Sequence, residues 1–187
     1  MDMKRDAQST RQRILDAATA EFSRYGIAGA RIDRIAAAAG SNKSMIYTYY
    51  DSKDRLFDAV FDASVVRCVD DVPIDAHDLP EYAARLFDQN WTRPETIRLG
   101  TWDWLERDGE GMSIDAVAQA NAHKVDAIRR AQHDGVISAH YPAATLLELI
   151  LALSLTRPTP TDGHADTTEA SRRRQAIKDA VTDLLRE

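Results

Sequence analysis

The sequence predicts an all-α protein of about nine helices, in which a small three-helix head is joined to a larger helical body. Apolar residues recur at spacings of three and four through most of the chain, as they do in helices buried on one face. The alternation of β-branched residues that marks strands is missing, and Ala, Leu, Arg, Glu and Asp dominate the periodic segments. The 187 residues are enough to bury a substantial core.

The first predicted helix follows a charged arm at residues 1–8. Ser9 is expected to be its N-cap, and Gln12 completes the spacing of a capping box. The helix carries an apolar stripe at spacings of four, four and three residues: Ile14, Ala18, Phe22 and Tyr25. Gly26 is expected to end it, because glycine readily adopts the left-handed conformation that follows a helix C-terminus.

Two short helices around a glycine turn come next. The second helix is predicted at about 32–39 and stops at Gly40, and the third runs from its N-cap Asn42 to about residue 49. A small core that fixes the pair is predicted from four side chains: Ile35, Ala36, Ile46 and Tyr50. This pattern is typical of a helix-turn-helix, whose second helix can enter the major groove of DNA.

The remaining helices form the predicted body. Ser52 caps a fourth helix from Lys53 to about Val69, whose buried stripe includes Leu56, Val60 and Phe61. Five further helices are predicted near residues 79–91, 94–107, 113–134, 142–156 and 168–186. Residues 157–167 hold two prolines, a glycine and three threonines, which predicts a loop. The predicted domains are therefore the head at 1–52 and the body at 53–187.

Composition narrows the class of protein. No stretch approaches the roughly 18 consecutive apolar residues that a membrane span needs, and the first ten residues lack the apolar core of a signal peptide. The single cysteine, Cys68, allows no disulfide within the chain and is expected to be a small buried hydrophobe. These features favour the cytoplasm and predict no membrane partner.

The charge of the chain is unevenly distributed, although its net value is −6. Residues 1–55 hold ten Lys or Arg and seven Asp or Glu, whereas residues 56–187 hold fourteen and twenty-three. A basic end on an acidic remainder is expected when only one end of a protein meets phosphate. The excess at the basic end is small, so it supports a DNA partner only together with the helix-turn-helix.

The outward face of the third helix supplies the candidate DNA contacts. It presents side chains that can reach phosphates, base edges and thymine methyl groups: Lys43, Ser44, Tyr47, Thr48 and Tyr49. Lys43 and Lys53 each stand in the first turn of a helix, where the backbone N–H groups also attract phosphate. The alternatives are an aromatic core stripe for Tyr47 and Tyr49, and solvated surface charges for the two lysines. Tyr50 is assigned to the core.

Residues 10–57 closely resemble the DNA-binding head of the tetracycline-repressor (TetR/AcrR) family. The matching stretches are TRQRILDAATAEFSRYG, IDRIAAAAG and NKSMIYTYYDSKDRLF. The resemblance implies DNA contact by Lys43, Ser44, Tyr47, Thr48, Tyr49 and Lys53. Arg31, Asn42 and Met45 complete the predicted DNA-binding set.

Three positions depart from the family pattern. Ser41 follows the turn glycine, where the family usually has Val, and Met45 replaces a residue that is often small or hydroxylated. Arg31 and Arg34 occupy the places of the usual Ser or Thr cap and of the acid three residues later. The lost cap is expected to cost about 1 kcal/mol, which Asp33 partly offsets through the helix dipole. Arg31 is available to reach a phosphate instead.

A ligand site is predicted in the body, because the resemblance implies an unknown small-molecule effector. Pockets need apolar and aromatic walls with a few polar groups, and the candidates are Tyr82, Phe87, Trp91, Trp102, Trp104, Met112 and His123. Plain core packing is the alternative for each tryptophan, and a surface position for His123. Trp102 and Trp104 are two residues apart on a helix, so their rings are expected to point in nearly opposite directions.

The last two predicted helices are the candidate dimer interface. Residues 143–155 are apolar nearly all round, so this helix must be covered on several sides. The resemblance implies that these helices form a four-helix homodimer contact, for which the candidates are Leu146, Leu147, Ile150, Leu151, Ile177, Val181 and Leu184. Packing within one subunit is the alternative.

These features together predict a dimeric, sequence-specific DNA-binding regulator, expected to be a repressor that its effector releases from double-stranded operator DNA. No metal-ligand spacing, glycine-rich phosphate loop or G-x-S-x-G motif is present, so neither an enzyme nor a cofactor is expected. The alternatives are a ligand-independent or activating regulator, and a helical adaptor that binds protein rather than DNA. An adaptor leaves the polarity of residues 43–49 unexplained.

Overall fold

The computed structural model describes residues 2–113, 115–156 and 167–186. Its helices are α1 (Asp2–Gly29), α2 (Ile32–Ala38), α3 (Lys43–Tyr50), α4 (Lys53–Asp71), α5 (Leu79–Thr92), α6 (Glu95–Arg107), α7 (Asp115–His133), α8 (Ala143–Ser154) and α9 (Thr167–Leu184), with a short 3₁₀ turn at Glu110–Ser113. The described residues contain no strand, which confirms the predicted all-α class. None of their helices is long and apolar enough to cross a membrane.

The chain forms two compact units. Unit 1 comprises residues 1–66 and 95–118, and unit 2 comprises residues 67–94 and 119–187. Helix α4 belongs to unit 1 up to Val66 and to unit 2 from Arg67. Unit 1 therefore holds the predicted head together with most of α4 and with α6, a helix that the sequence analysis assigned to the body.

The start of α1 differs from its prediction. The helix begins at Asp2, so the expected arm at residues 1–8 and the N-cap at Ser9 are both wrong. The side-chain amide of Gln12, the other half of the predicted capping box, donates a hydrogen bond to Asp16, one turn further along the same helix. The predicted ending at Gly26 is confirmed as a break, because this glycine has φ 75° and ψ −179° inside the helical segment. Only glycine adopts such a conformation without strain.

Unit 1 is built around the apolar faces of α1, α2, α3 and α4. Ile14, Ala18 and Phe22 from the predicted stripe of α1 are fully buried, and the ring of Phe22 meets Phe57 edge-on at 5.3 Å between centroids. Tyr25, the fourth member of that stripe, is 41% exposed, so its assignment to the core is wrong. Its ring instead supports the guanidinium group of Arg34 at 4.3 Å. This contact is a cation–π interaction on the surface.

Helix α6 joins unit 1 through polar contacts to the end of α1. Arg98 and Trp102 both donate hydrogen bonds to the carbonyl oxygen of Ser23, at 2.5 and 3.3 Å. Glu106 accepts a hydrogen bond from the backbone N–H of Ala28 at 2.6 Å. These bonds satisfy backbone groups that the break at Gly26 frees from the helix ladder.

A buried carboxylate connects α6 to the 3₁₀ turn. Asp103 is 1% exposed, and both of its oxygens accept the backbone N–H of Gly111 at 3.0 Å. A Cβ atom at residue 111 would lie 2.8 Å from this carboxylate, so the close approach requires glycine. Burial raises the pKa of Asp103, although the Gly111 bond and the charge of Arg107 act in the opposite direction. Arg107 also pairs with Asp58 of α4 at 2.8 Å.

Unit 2 packs α5 against α8 and α9. Its core includes Leu79, Tyr82, Phe87, Leu146 and Ile150, each at most 1% exposed. An ion-pair network covers one edge of this core. The carboxylate of Glu81 accepts hydrogen bonds from Arg174 and Lys178, and Arg174 also pairs with Asp88 at 2.8 Å. The hydrogen bonds from Lys178 and Arg174 hold the pKa of Glu81 below its ordinary value. The predicted loop at 157–167 falls outside the described residues, apart from the backbone of Thr167.

Candidate nucleic-acid interface

The turn between α2 and α3 has the geometry that the sequence predicted. Gly40 has φ 58°, and its N–H bonds the carbonyl of Ala37 at 3.2 Å. Asn42 caps α3, because its side-chain oxygen accepts the N–H of Met45 at 2.8 Å. The capping oxygen of Asn42 is thus occupied within the protein, and only its NH₂ group is available to DNA.

The inner face of α3 is firmly held. Ile35 and Ile46 are fully buried, and Tyr50 is 4% exposed, which confirms the predicted core of the helix pair. The Tyr50 hydroxyl lies 3.5 Å from the carbonyl oxygen of Arg11 on α1, towards which it donates. With its inner face packed in this way, α3 presents a fixed outer face.

Four of the predicted DNA contacts on α3 are exposed: Lys43, Ser44, Tyr47 and Thr48. Tyr47 is 43% exposed, which favours an outward role over the core stripe. Met45 and Tyr49 are half-buried, and Tyr49 packs against the core with its ring 6.3 Å from that of Tyr50. Of the aromatic pair, only Tyr47 projects clearly from the protein.

The two candidate lysines already have partners inside unit 1. Lys43 pairs with Asp33 of α2 at 2.8 Å, and the hydrogen bond and charge of that carboxylate raise the pKa of Lys43. The ammonium group of Lys53 donates to the carbonyl oxygens of Ala28 and Ala30 at 3.3 and 3.4 Å. Two of its three N–H bonds are thereby committed, which fixes its position and leaves one donor for a phosphate.

Glu21 takes the role of the acid that Arg34 replaces at the start of α2, and no local sequence signal marked it. It is 9% exposed on α1, and it accepts the backbone N–H of Arg31 at 2.9 Å and the Nε–H of Arg34 at 2.7 Å. Arg31 provides no side-chain cap of its own, as expected. Its exposed guanidinium group remains available to DNA, while Arg34 is held between Glu21 and Tyr25.

The comparisons with known proteins agree with this geometry. Residues 14–60 match the family model described as "Bacterial regulatory proteins, tetR family". Residues 78–182 match "Tetracyclin repressor-like, C-terminal domain", which covers more than half of the chain. The chain belongs to the TetR family. It is a DNA-binding transcriptional regulator, and the match over residues 14–60 includes α2 and α3.

Individual relatives span most of the molecule. The HTH-type transcriptional repressor SCO4008 of Streptomyces coelicolor is 42% identical over 151 residues, which cover 80% of this chain and 79% of that protein. The HTH-type transcriptional repressor NicS of Pseudomonas putida is 35% identical over 130 residues, which cover 68% of this chain and 55% of that protein. The crystal structure of SCO4942 from Streptomyces coelicolor superposes with a TM-score of 0.78 at 33% identity, covering 94% of this chain and 97% of that chain.

The structure distributes the predicted ligand residues of this TetR-family chain over both units. Tyr82 and Phe87 are buried and Trp91 is half-buried on α5 of unit 2, with the Phe87 and Trp91 rings 5.5 Å apart. His123 is exposed on α7. Trp102 and Trp104 both belong to unit 1. Trp102 packs on α1 whereas Trp104 is 69% exposed, so the two rings point in different directions, as expected. The side chain of Met112 lies outside the described residues.

The predicted dimer residues are largely covered within one chain. Five of them are at most 4% exposed: Leu146, Leu147, Ile150, Ile177 and Val181. Leu151 and Leu184 are half-buried, and Leu155, at the end of α8, is 46% exposed. The first five side chains therefore pack within the chain, as the alternative interpretation allowed.

Two further features of unit 2 were not predicted from the sequence. Lys124 of α7 is 7% exposed, which is unusual for a lysine. Cys68 is half-buried and donates a hydrogen bond to Gln89 at 3.0 Å, so it is more than a small hydrophobe. In the described ranges, no three His, Cys, Asp or Glu residues are grouped as a metal site requires.

The ionised carboxylate of Glu21 is expected to stabilise the folded protein. Burial acts to raise the pKa of Glu21, but the hydrogen bonds from Arg34 and Arg31 and the charge of Arg34 outweigh it, so the pKa is lowered. A lowered carboxyl pKa stabilises the fold above the unfolded-state value of about 4.3, and this contribution is lost as the pH falls through the folded-state pKa. Glu21→Gln is expected to reduce the free energy of unfolding by about 1 kcal/mol at pH 7.

Urea unfolding of the wild type and Glu21→Gln at several pH values measures this contribution. The difference between the two proteins is expected to shrink as the pH falls below about 4, because the wild-type carboxyl then becomes neutral as well. Asp16→Asn, an exposed change on the same helix, is the control and should have a smaller effect at pH 7. If the difference in the free energy of unfolding between the wild type and Glu21→Gln does not depend on pH, the charge of Glu21 does not contribute to stability.

Proposed function

We propose that this TetR-family protein is a dimeric repressor that leaves its operator when a small molecule binds in unit 2. The observation that supports DNA binding most strongly is the fixed α3, with Ser44, Tyr47 and Thr48 exposed on its outer face. Repression is proposed because SCO4008 and NicS are both named as repressors. In this proposal residues 1–52, together with Lys53, bind DNA, and the rest of the chain senses the ligand and dimerises.

The proposed contacts divide into two kinds. Lys43, Lys53 and Arg31 supply positive charge for phosphates, which gives affinity and register without sequence information. The exposed α3 residues Ser44, Tyr47 and Thr48 approach base edges, where hydrogen bonds and methyl contacts distinguish sequences. Thr48 donates its hydroxyl proton to the Ser44 carbonyl at 2.9 Å, so its methyl group and its oxygen lone pairs are what it offers to DNA.

Helix α4 is the proposed route from ligand to DNA. It begins with Lys53 beside the recognition helix and continues beyond Val66 into unit 2. Two recognition helices must lie about 34–36 Å apart to enter successive major grooves. A ligand that prefers one position of α4 would change this spacing, and such coupling is typically worth about 1–3 kcal/mol. Operator DNA must then change ligand affinity by the same factor.

A gel-shift with the DNA upstream of the protein's own gene separates a regulator from a protein-binding adaptor. The regulator is expected to shift this duplex at nanomolar concentration and to resist competition by unrelated DNA of the same length. An adaptor would shift neither duplex. Equal shifts of both would leave only non-specific binding and would contradict sequence-specific regulation.

Lys53 provides a test of phosphate contact. Lys53→Ala is expected to weaken binding to all DNA sequences alike and to lower the slope of log affinity against log salt by about 1, because one phosphate neutralisation is removed. The measurement is fluorescence anisotropy at several salt concentrations. Arg129→Ala on α7, which removes a cation that is 65% exposed in unit 2, is the matched control and should leave the slope unchanged. An unaltered slope for Lys53→Ala would rule out the contact.

Leu155 provides a test of the dimer. We propose that the exposed and half-buried apolar positions of α8 and α9 meet a second subunit, since the buried positions are already covered. Leu155→Asp is expected to shift sedimentation from dimer towards monomer, because a carboxylate in an apolar interface is strongly disfavoured. Val136→Asp is the matched control, as both side chains are 46% exposed. If both variants remain dimeric, the end of α8 is not in the interface.

A further inference from the structure

Asp33 and Lys43 form an exposed ion pair that joins the two helices of the helix-turn-helix. Asp33 lies in the first turn of α2 and Lys43 in the first turn of α3. The Oδ1 atom of Asp33 is 2.8 Å from the Nζ atom of Lys43, and the side chains are 74% and 53% exposed. An ion pair at this exposure contributes little to stability, whereas Ile35 and Ile46 of the same helices are fully buried. The packing of α2 on α3 therefore depends little on this pair.

Lys43 differs in its partner from the other cations of the candidate interface. The ammonium group of Lys53 donates to two uncharged carbonyl oxygens, and Arg31 is exposed. Among these three cations, only Lys43 is paired with a carboxylate within the part of the chain that the structure describes. Its positive charge is thus already compensated inside the protein.

A phosphate that binds Lys43 must come close to Asp33. A hydrogen bond from an ammonium group to a phosphate oxygen is about 2.8 Å long, and the carboxylate oxygen of Asp33 already lies 2.8 Å from the same nitrogen. If Lys43 keeps its position, the phosphate oxygen therefore lies within about 6 Å of that carboxylate oxygen, where two negative charges repel each other. Lys43 must either bind phosphate against this repulsion or leave Asp33. Both alternatives reduce the free energy gained from the contact.

We propose that Asp33 limits the affinity of the protein for DNA by holding the ammonium group of Lys43 away from the phosphate backbone. This inference rests on the proposed contact between Lys43 and phosphate, and it assigns to α2 a residue that acts against binding. Phosphate contacts carry no sequence information, so Asp33 weakens binding to every duplex alike. Binding to unrelated DNA is thereby kept weak, because charge supplies nearly all of it, whereas operator binding retains its base contacts.

Asp33→Asn tests this proposal, because it removes the charge of the carboxylate and keeps nearly the same shape. The measurement is fluorescence anisotropy of the full-length chain with a scrambled duplex at several salt concentrations. The variant is expected to bind about threefold to tenfold more tightly than the wild type at low salt. The slope of log affinity against log salt should steepen by about 1, because Lys43 then neutralises one further phosphate. A gain cannot come from misfolding, and unchanged or weaker binding would overturn the proposal.

Asp126→Asn on α7 is the matched control. It changes the net charge by the same amount, and it likewise frees an exposed cation, Arg129, from an ion pair in unit 2. Its affinity for the duplex should differ from that of the wild type by less than about twofold, because exposed charges far from the DNA are screened. A gain equal to that of Asp33→Asn would assign the effect to net charge and overturn a local role for Asp33.

The Lys43→Met background shows whether Asp33 acts through the lysine. In this background Asp33→Asn is expected to change the affinity by less than about twofold, because no ammonium group remains to be released. A gain as large as the one measured with Lys43 present would mean that the carboxylate acts on DNA independently of Lys43, which would overturn the proposal.

Lys43→Met alone separates this inference from the contact on which it rests. Weaker binding by Lys43→Met without a gain for Asp33→Asn would support the phosphate contact and overturn the role of Asp33. Unchanged binding by Lys43→Met would contradict the contact itself, and the inference with it.

Discussion

Ile46 and Tyr50 hold α3 against the core of unit 1, and the direction of every side chain in the candidate DNA interface depends on that packing. Both residues are almost completely buried. The Asn42 cap and the left-handed Gly40 fix where the helix begins. Because the inner face cannot rotate without exposing this core, Tyr47 and Thr48 are held outward before any DNA arrives. Such pre-organisation reduces the ordering cost of binding.

Polar contacts between distant parts of the chain extend this support. Glu21 of α1 accepts the backbone N–H of Arg31, the N-cap residue of α2, and side chains of α6 form hydrogen bonds with backbone groups around the break at Gly26. Lys53 donates hydrogen bonds to the carbonyl of Ala28 in the last turn of α1 and to that of Ala30 in the connection to α2, so the start of α4 is tied to this region. A displacement of α4 or α6 would therefore alter these contacts within unit 1.

Local chemistry allowed much of this to be predicted from the sequence. The cap at Asn42, the turn at Gly40 and the cap at Ser52, which accepts the Arg55 N–H at 3.1 Å, follow from rules that act within four residues. The same rules failed at Ser9, because a good capping box does not prevent a helix from extending past it. Tyr25 fitted the apolar period but lies at its edge, where Arg34 provides a better partner than the core.

The unpredicted features depend on contacts between residues far apart in sequence. Glu21 meets Arg34 thirteen residues later, and Trp102 meets Ser23 at a separation of 79. Periodicity could place Lys124 on α7 but could not show that the residue is 7% exposed. The tryptophans were grouped because they are close in sequence, whereas the fold assigns Trp91 to unit 2 and Trp102 and Trp104 to unit 1.

We propose that the outer face of α3 distinguishes base sequences. Its most direct test is the affinity of the wild type and Tyr47→Ala for the operator and for a scrambled duplex at one salt concentration. We expect Tyr47→Ala to weaken operator binding by about 1–3 kcal/mol and to leave binding to scrambled DNA unchanged, because a base contact is lost and the phosphate contacts remain. An equal loss on both duplexes, or no loss on either, would contradict it.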